Sequence, residues 1–383
     1  MSDYDQADQH SIGWLPWFFV REPVTIGNVT FRPFGPEYLL PDCDVTLQGR
    51  LLEVMKRFIQ INGKPMPLLI IVLWQDDMTF PRLDQAQWDE MIQAVNLLAL
   101  ANFAINEHYT PAALGPHYVN SSMFQFFGQN YEAGSDHTVI VRRRRDNIPV
   151  SHLGWLRKEV KDQMPRAYLS CTPVKVPDGR FLEALRKVHE CGRDVDRRIV
   201  NSLFYFMFAN TDDNASTCAV EAVQLEWAIE HLIGPCGGRE DFVKEVEGMV
   251  ATHAPEGVSD SSRPKGKYSD EAVAEGWGII QEWANEFYFL RNKITHGKDL
   301  TTYQWRWDVG EHCVFAAWLY PLLVKLLLVS NDDYVLTEDD QIALAGAGKL
   351  LAADSWRENW PRVLNDQGSS ARRKALEKHS EGY

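Results

Sequence analysis

The 383-residue chain is 45% hydrophobic and 24% charged, which are ordinary values for globular proteins and allow two or three domains. Its formal net charge of −14 excludes binding of long nucleic-acid duplexes through a basic overall field, although a few local phosphate contacts remain compatible with it. The six cysteines are scattered without a CxxC pair, so they indicate neither a disulfide framework nor a zinc site.

The first part of the chain alternates between strand and helix patterns. Its beginning, MSDYDQADQHSIGW, is acidic and polar, unlike a signal peptide, so we expect a cytoplasmic protein. Val24–Phe34 has the pattern of a hairpin turning at Gly27 and Asn28, and Pro67–Trp74 is a continuous apolar run typical of a buried strand. An amphipathic helix is expected in LDQAQWDEMIQAVNLLALANFAINEHY, and a further strand over His137–Arg145. Residues 1–178 are therefore predicted to form a mixed α+β domain.

The end of that last strand carries four consecutive arginines: Arg142, Arg143, Arg144 and Arg145. Such a run can contact RNA phosphates. It is more typical of an exposed strand end, where charge discourages edge-to-edge pairing.

Residues 179–365 are predicted to form an all-α domain, with a polar tail over 366–383. One or two helices are expected from Arg180 to about Thr211. The next helix, in STCAVEAVQLEWAIEHLIG, has Ser216 as its predicted N-cap and Gly234 as its stop. The side chains expected to face inward are Ala219, Val223, Trp227 (or Leu225) and Leu232.

Glu226 and Glu230 lie on one flank of this helix, four residues apart. Carboxylates in such positions usually form a solvated face. They become part of a site only if a cation lies close to them.

After a Pro-, Gly- and Ser-rich loop over residues 251–270, a helix capped by Ser269 or Asp270 is expected to run to Gly297. Its apolar stripe consists of Val273, Trp277, Ile280, Trp283, Phe287, Leu290 and Ile294. Arg291 lies about 45° from the centre of the stripe at roughly 100° per residue, so it borders buried surface. His296 stands directly before Gly297, the favoured helix-stopping residue.

The most apolar segment, Cys313–Val329, contains Pro321 and Lys325 and is slightly shorter than the roughly 20 residues of a membrane span. We therefore expect a buried helix, and no membrane partner.

Arginine followed at short distance by histidine is not rare in this chain. Three other pairs have a similar spacing: Arg145 with His152, Arg306 with His312, and Arg373 with His379. Pro149 separates the first of these pairs, and the last lies in the polar tail. Arg306 with His312 remains a weak rival, since only Arg291 and His296 lie at the end of a strongly patterned helix.

The stretch FYFLRNKITHG resembles the signature of the HEPN superfamily of ribonucleases, in which Asn follows the arginine and Gly follows the histidine. The order of elements around it is similar to the Apea-like form, which is associated with anti-phage and abortive-infection systems. There an earlier helix, here AVEAVQLEWAIEHLIG, precedes the Arg–His helix, and an apolar helix follows. The resemblance covers about residues 200–335 and implies a HEPN-like helical bundle after the α+β domain.

The resemblance implies an endoribonuclease that uses the ribose 2′-OH as nucleophile and needs neither a metal nor another cofactor. In that reaction His296 exchanges protons and Arg291 contacts the phosphate with a permanently charged, bidentate group. Asn292 is expected to orient the phosphate or the histidine. The further supporting residues are Thr295, Glu226 and Glu230, and Lys293 is a weaker candidate for RNA contact.

A regular helix through His296 turns its side chain about 140° away from Arg291 at roughly 100° per residue. A homodimer with two such helices face to face would bring the groups together, and the resemblance also implies a dimer. RNA is the expected partner, together with a phage-derived trigger or a regulatory protein. The alternative is a catalytically silent HEPN-like module that binds RNA, a nucleotide or a partner protein.

Overall fold

The computed structural model describes residues 9–59, 64–104, 121–132, 140–142, 149–151, 179–211, 216–251, 253 and 276–352. Their contacts form two compact units. The first unit contains the described residues up to Asn102 and those from 121 to 191. The second unit contains Phe103, Ala104 and the described residues from Gly192 onward. The first unit holds an antiparallel sheet and the second is helical, so the protein is α+β with a helical C-terminal region.

The first unit is built on a five-stranded sheet. Its strands are β1 (Gln9–Leu15), β2 (Val24–Ile26), β3 (Val29–Phe34), β4 (Leu69–Trp74) and β5 (Phe127–Glu132), in the order β2-β3-β4-β1-β5 with all neighbours antiparallel. A separate pair joins β6 (Ile140–Arg142) to β7 (Pro149–Ser151). The helices of this unit are α1 (Val45–Met55), α2 (Gln85–Phe103) and α3 (Gly179–Cys191). Helix α3, which we predicted as the start of the all-α domain, thus belongs to the sheet unit.

The predicted hairpin and buried strand are both present. Ile26 lies opposite Val29 across the turn, and Gly27 adopts a positive φ of 55° that suits a residue without a side chain. A Cβ at Gly27 would collide with the ring of His189 on α3. Strand β4 is buried from Leu69 to Leu73 and lies between β3 and β1 in the sheet.

The second unit contains helices α4 (Asp194–Ala209), α5 (Cys218–Ile233), α6 (Arg239–Ala251), α7 (Ile279–Thr295), α8 (Val309–Val329) and α9 (Glu338–Ala352). Helix α5 packs against α4, α7 and α8, and α7 also contacts α6 and α9. Because α5 is central, Glu226 on its α7-facing side is fully buried, and Glu230 is partly buried.

Two helix starts differ from the prediction. Helix α5 is capped by Thr217, whose hydroxyl accepts from the backbone N–H of Val220, and not by Ser216. Helix α7 begins after Gly278; the proposed caps Ser269 and Asp270 lie outside the described residues. Of the side chains expected to face inward on α5, Val223 and Leu232 are buried, as is Leu225, the alternative to the half-exposed Trp227; Ala219 is also only half-buried.

Helix α8 is long and apolar enough to span a membrane by length and composition, yet 89% of its most apolar window is buried inside the protein. Its Lys325 is buried as well and donates to Asp340 of α9 at 2.6 Å. The hydroxyl of Tyr334 donates to the second oxygen of Asp340 at 2.8 Å. This ion pair allows a lysine to lie within an apolar helix, because its charge is paired.

Candidate functional site

Helix α7 ends in a regular C-terminal cap. His296 is the C-cap and Gly297 follows with a φ of 62°, the left-handed conformation that glycine adopts without strain. The N–H of Lys298 donates to the carbonyl of Lys293, and the N–H of Gly297 donates to that of Ile294. These two bonds form a Schellman motif, which leaves the His296 side chain exposed at the helix end.

Arg291, one and a half turns earlier, is held by side chains from two helices. Its Nε donates to Glu226 at 2.7 Å and its Nη2 to Glu230 at 2.8 Å, both on α5. Its Nη1 donates to Oδ1 of Asn292 at 2.9 Å. Glu226 and Glu230 therefore do not form a merely solvated face of α5. They have the nearby cation, Arg291, that makes them candidates for a site.

The face of the Arg291 guanidinium is also covered, since its carbon lies 4.7 Å from the centre of the Tyr288 ring. Within the described part of the chain, the three hydrogen bonds use three of the five N–H donors of a guanidinium. One donor remains on each terminal nitrogen. With 15% of its side chain exposed, Arg291 can offer these donors to a ligand in a fixed orientation.

Glu226 is the most deeply placed group of the site, with a fully buried side chain. Burial raises the pKa of its carboxyl to about 7, against the opposing effect of the bond from Arg291. Among the described residues, its Oε1 has no hydrogen-bond partner. With Glu226 ionised the group of Arg291, Glu226 and Glu230 carries one net negative charge, and with Glu226 protonated it is neutral.

The site residues predicted from sequence divide into two sets. Arg291, Asn292, Glu226 and Glu230 are brought into direct contact, whereas His296 projects from the helix end. The helical hydrogen bond from the N–H of His296 to the carbonyl of Asn292 is intact, so the regular geometry behind the 140° separation from Arg291 holds.

The remaining predicted residues have other contacts. The hydroxyl of Thr295 donates to the backbone carbonyls of Arg291 and Asn292, within its own helix. The ammonium of Lys293 lies 4.7 Å from the centre of the Tyr303 ring. Arg142 is the last residue of β6, and 143–145 lie outside the described residues.

The rival pair, Arg306 and His312, is buried in a separate cluster. Glu286 of α7 accepts from the backbone N–H groups of Arg306 and Trp307 and lies 3.2 Å from Nε2 of His312. The Arg306 guanidinium pairs with Glu282. Because His312 is fully buried, this cluster stabilises the segment before α8 and offers no access to a substrate.

Sequence reasoning missed Tyr288 as part of the site. Its position three residues before Arg291 on the same helix was the available signal, since residues at that spacing are neighbours on a helix surface. The cation–π contact itself depends on the orientation of the guanidinium, which the two glutamates of another helix determine.

Two further features concern ligands. Among the described residues, no three His, Cys, Asp or Glu side chains come together in a way that could hold a metal ion. The first unit has an open cavity of about 650 Å³ with a mainly apolar, partly aromatic lining. Its lining includes Trp17, Phe19, Arg21, Glu37, Tyr38 and Met66.

Comparison with known proteins gives no match: no protein-family model, curated protein or solved structure is detectably similar to this chain.

Proposed function

We propose that the helical unit is a HEPN-type endoribonuclease that cleaves RNA through the ribose 2′-OH without a metal. The observation that carries this proposal is the fixed guanidinium of the partly exposed Arg291 side chain, on a helix that ends in the exposed His296. The fold class of the second unit agrees with the helical bundle that the resemblance implies.

In the proposed reaction the 2′-oxygen attacks the adjacent phosphorus and loses its proton to a base. The bond from phosphorus to the 5′-oxygen breaks, and that oxygen receives a proton. His296 supplies proton exchange, and the two remaining donors of Arg291 bind the phosphate oxygens on which negative charge develops. The products are a 2′,3′-cyclic phosphate and a 5′-hydroxyl.

The setting proposed for this activity is that of an abortive-infection or toxin effector in the cytoplasm, active as a homodimer. A phage-derived trigger or a regulatory partner protein would release it. The first unit is then a sensor or a substrate-selecting domain, and its cavity of about 650 Å³ falls within the usual size of small-molecule sites.

One observation favours a second candidate, a catalytically silent module that binds RNA, a nucleotide or a protein. Glu226 and Glu230 already pair with Arg291, as they would in a purely structural ion-pair network. Such a protein would retain Arg291 for the packing of α5 against α7, and His296 would have no role.

The test is cleavage of bulk RNA with and without EDTA, with analysis of the product ends. We expect cleavage that the chelator leaves unchanged and fragments that end in 2′,3′-cyclic phosphate. His296→Ala should abolish cleavage and any toxicity on expression. Its stability should change by less than about 0.5 kcal/mol, because the side chain is exposed.

A matched control is His253→Ala, which removes an exposed histidine just after α6. Full activity of a folded His296→Ala variant, or a strict requirement for magnesium, would reject the mechanism. RNA binding without cleavage, unchanged by His296→Ala, would favour the silent module.

A further inference from the structure

Two aromatic side chains lie on the loop that follows His296. Tyr303 and Trp305 are both half-buried, with ring centres 5.6 Å apart and ring planes inclined by 44°. The ammonium of Lys293, from the last turn of α7, lies 4.7 Å from the centre of the Tyr303 ring. A cation and two partly exposed rings are thus gathered into one surface, here called the Tyr303–Trp305 platform.

This platform is on the histidine side of the helix. Lys293 and His296 are three residues apart, which places them about 60° apart around the helix axis at roughly 100° per residue. Arg291 and His296 are about 140° apart by the same measure. The rings that contact Lys293 are therefore closer in direction to His296 than the Arg291 guanidinium is.

The loop that carries the platform is held at several points. Asp299 accepts from the N–H and the hydroxyl of Thr301, and the indole N–H of Trp305 donates to the carbonyl of Leu300. At its far end the buried Glu286 binds the backbone of Arg306. Rings held in this way lose little conformational freedom when they bind a flat ligand.

We propose that the Tyr303–Trp305 platform stacks an unpaired base of the RNA substrate, with Lys293 binding the phosphate of the same or the adjacent nucleotide. This inference rests on the proposed ribonuclease function and specifies its substrate as single-stranded RNA. Base faces are accessible to aromatic side chains only where the base is unpaired or splayed out, and stacking tolerates any sequence.

The overall charge supports the same assignment. A chain with a net charge of −14 gains little from a general attraction to phosphate, so its affinity for RNA must come from local contacts. Stacking supplies affinity that does not depend on net charge, and a single lysine beside the rings supplies a local electrostatic contact.

The experiment measures binding rather than cleavage. A fully 2′-O-methylated single-stranded oligonucleotide lacks the nucleophile, so it cannot be cut by the proposed reaction, and the same strand annealed to its complement provides the duplex. We expect Tyr303→Leu and Trp305→Leu each to weaken single-strand binding about tenfold and to leave duplex binding unchanged. Tyr303→Phe, which retains the ring, should bind like the wild type.

The matched control is Phe208→Leu, which removes a 48% exposed aromatic side chain from α4 of the same unit. Equal losses of single-strand affinity in this variant and in Tyr303→Leu would reject the proposed role of the platform. A wild-type protein that prefers the duplex, or that binds neither form, would reject it as well. Preferential binding of a peptide in competition with the oligonucleotide would overturn it too.

The stacking proposal and the ribonuclease proposal can fail independently of each other. If His296→Ala and the wild type cleave equally but Tyr303→Leu loses single-strand binding, the mechanism fails and the platform stands. If the wild type cleaves RNA and Tyr303→Leu changes neither single-strand affinity nor KM, the platform fails and the mechanism stands.

Discussion

Arg291 combines two properties, a fixed orientation and N–H donors that its three hydrogen bonds leave unused. The fixed orientation comes from four groups around it: Glu226, Glu230, Asn292 and Tyr288. A lysine could bind only some of these groups at once, because its ammonium is a single point of charge without the planar fork of donors that arginine has.

We therefore expect Arg291→Lys to lower kcat/KM for RNA cleavage by about 100-fold or more, although the formal charge is unchanged. Steady-state kinetics on a defined oligonucleotide would measure the loss. Arg197→Lys, on an exposed part of α4, is the matched control and should be neutral. Wild-type kinetics for Arg291→Lys would show that charge alone suffices.

Glu226 should make the stability of the protein depend on pH. Burial raises the pKa of its carboxyl in the folded state to about 7, whereas an unfolded glutamate has a pKa near 4.3. The folded state thus prefers the protonated form. The resulting contribution to the free energy of unfolding is fully present below about pH 4 and is lost as the pH rises through about 7.

Urea unfolding of the wild type and Glu226→Gln between pH 4.5 and about pH 8 tests this expectation. The free energy of unfolding of the wild type, minus that of Glu226→Gln, should fall as the pH rises. Glu240→Gln removes the same charge from a side chain that is 86% exposed and should show no such trend. A difference that rises with pH would mean that the ionised carboxylate paired with Arg291 is the preferred form.

At the scale of the element, the end of α7 determines where His296 is placed. Gly297 is in the left-handed conformation, and among the described residues nothing lies within 4 Å of a Cβ built there. The cost of a side chain at this position is therefore a backbone cost.

Gly297→Ala should destabilise the protein by about 1–2 kcal/mol, measured by urea unfolding. It should also lower cleavage, because the relaxed helix end changes the direction of His296. Gly248→Ala, in the interior of α6 with equally open surroundings, should instead stabilise by about 0.5–1 kcal/mol. The same sign of effect at both glycines would contradict this account.

The sequence predicted well those features that depend on local pattern. The hairpin at Gly27, the buried strand β4 and the exposed end of α7 at Gly297 each follow from a few adjacent residues. Strand β1 was not predicted, because the polar beginning of the chain conceals that Ile12, Trp14 and Leu15 are buried in the middle of a sheet. Its position depends on partners far along the chain, β4 and β5.

The same distinction applies to the candidate site. The border position of Arg291 followed from helical periodicity, and the shared flank of Glu226 and Glu230 from their spacing. That Arg291 bridges both glutamates could not be predicted, because it requires the packing of α5 against α7 across 61 and 65 residues of sequence.

At the scale of the whole molecule, we propose that a second copy of the chain brings together the two groups, Arg291 and His296, that one helix holds apart. Across a two-fold axis the arginine of one protomer can meet the histidine of its partner, and the same contact is repeated in the second site. Each active site would then contain groups from both protomers.

This arrangement predicts complementation. His296→Ala and Arg291→Lys should each be inactive alone, yet an equal mixture should recover about a quarter of wild-type activity, since half the dimers are mixed and each holds one intact site. Sedimentation across a dilution series should show the dimer, with specific activity falling as it dissociates. A fully active monomer, or a mixture without recovered activity, would defeat the shared site.

The buried pair of Lys325 and Asp340 has a consequence for how the chain is made. During synthesis the lysine of α8 leaves the ribosome fifteen residues before the aspartate that neutralises it. Until α9 follows, burying α8 would take the Lys325 ammonium out of water without the Asp340 carboxylate that neutralises its charge, at a cost of several kcal/mol. We therefore expect the most hydrophobic segment of the nascent chain to be buried stably only after Asp340 has been synthesised.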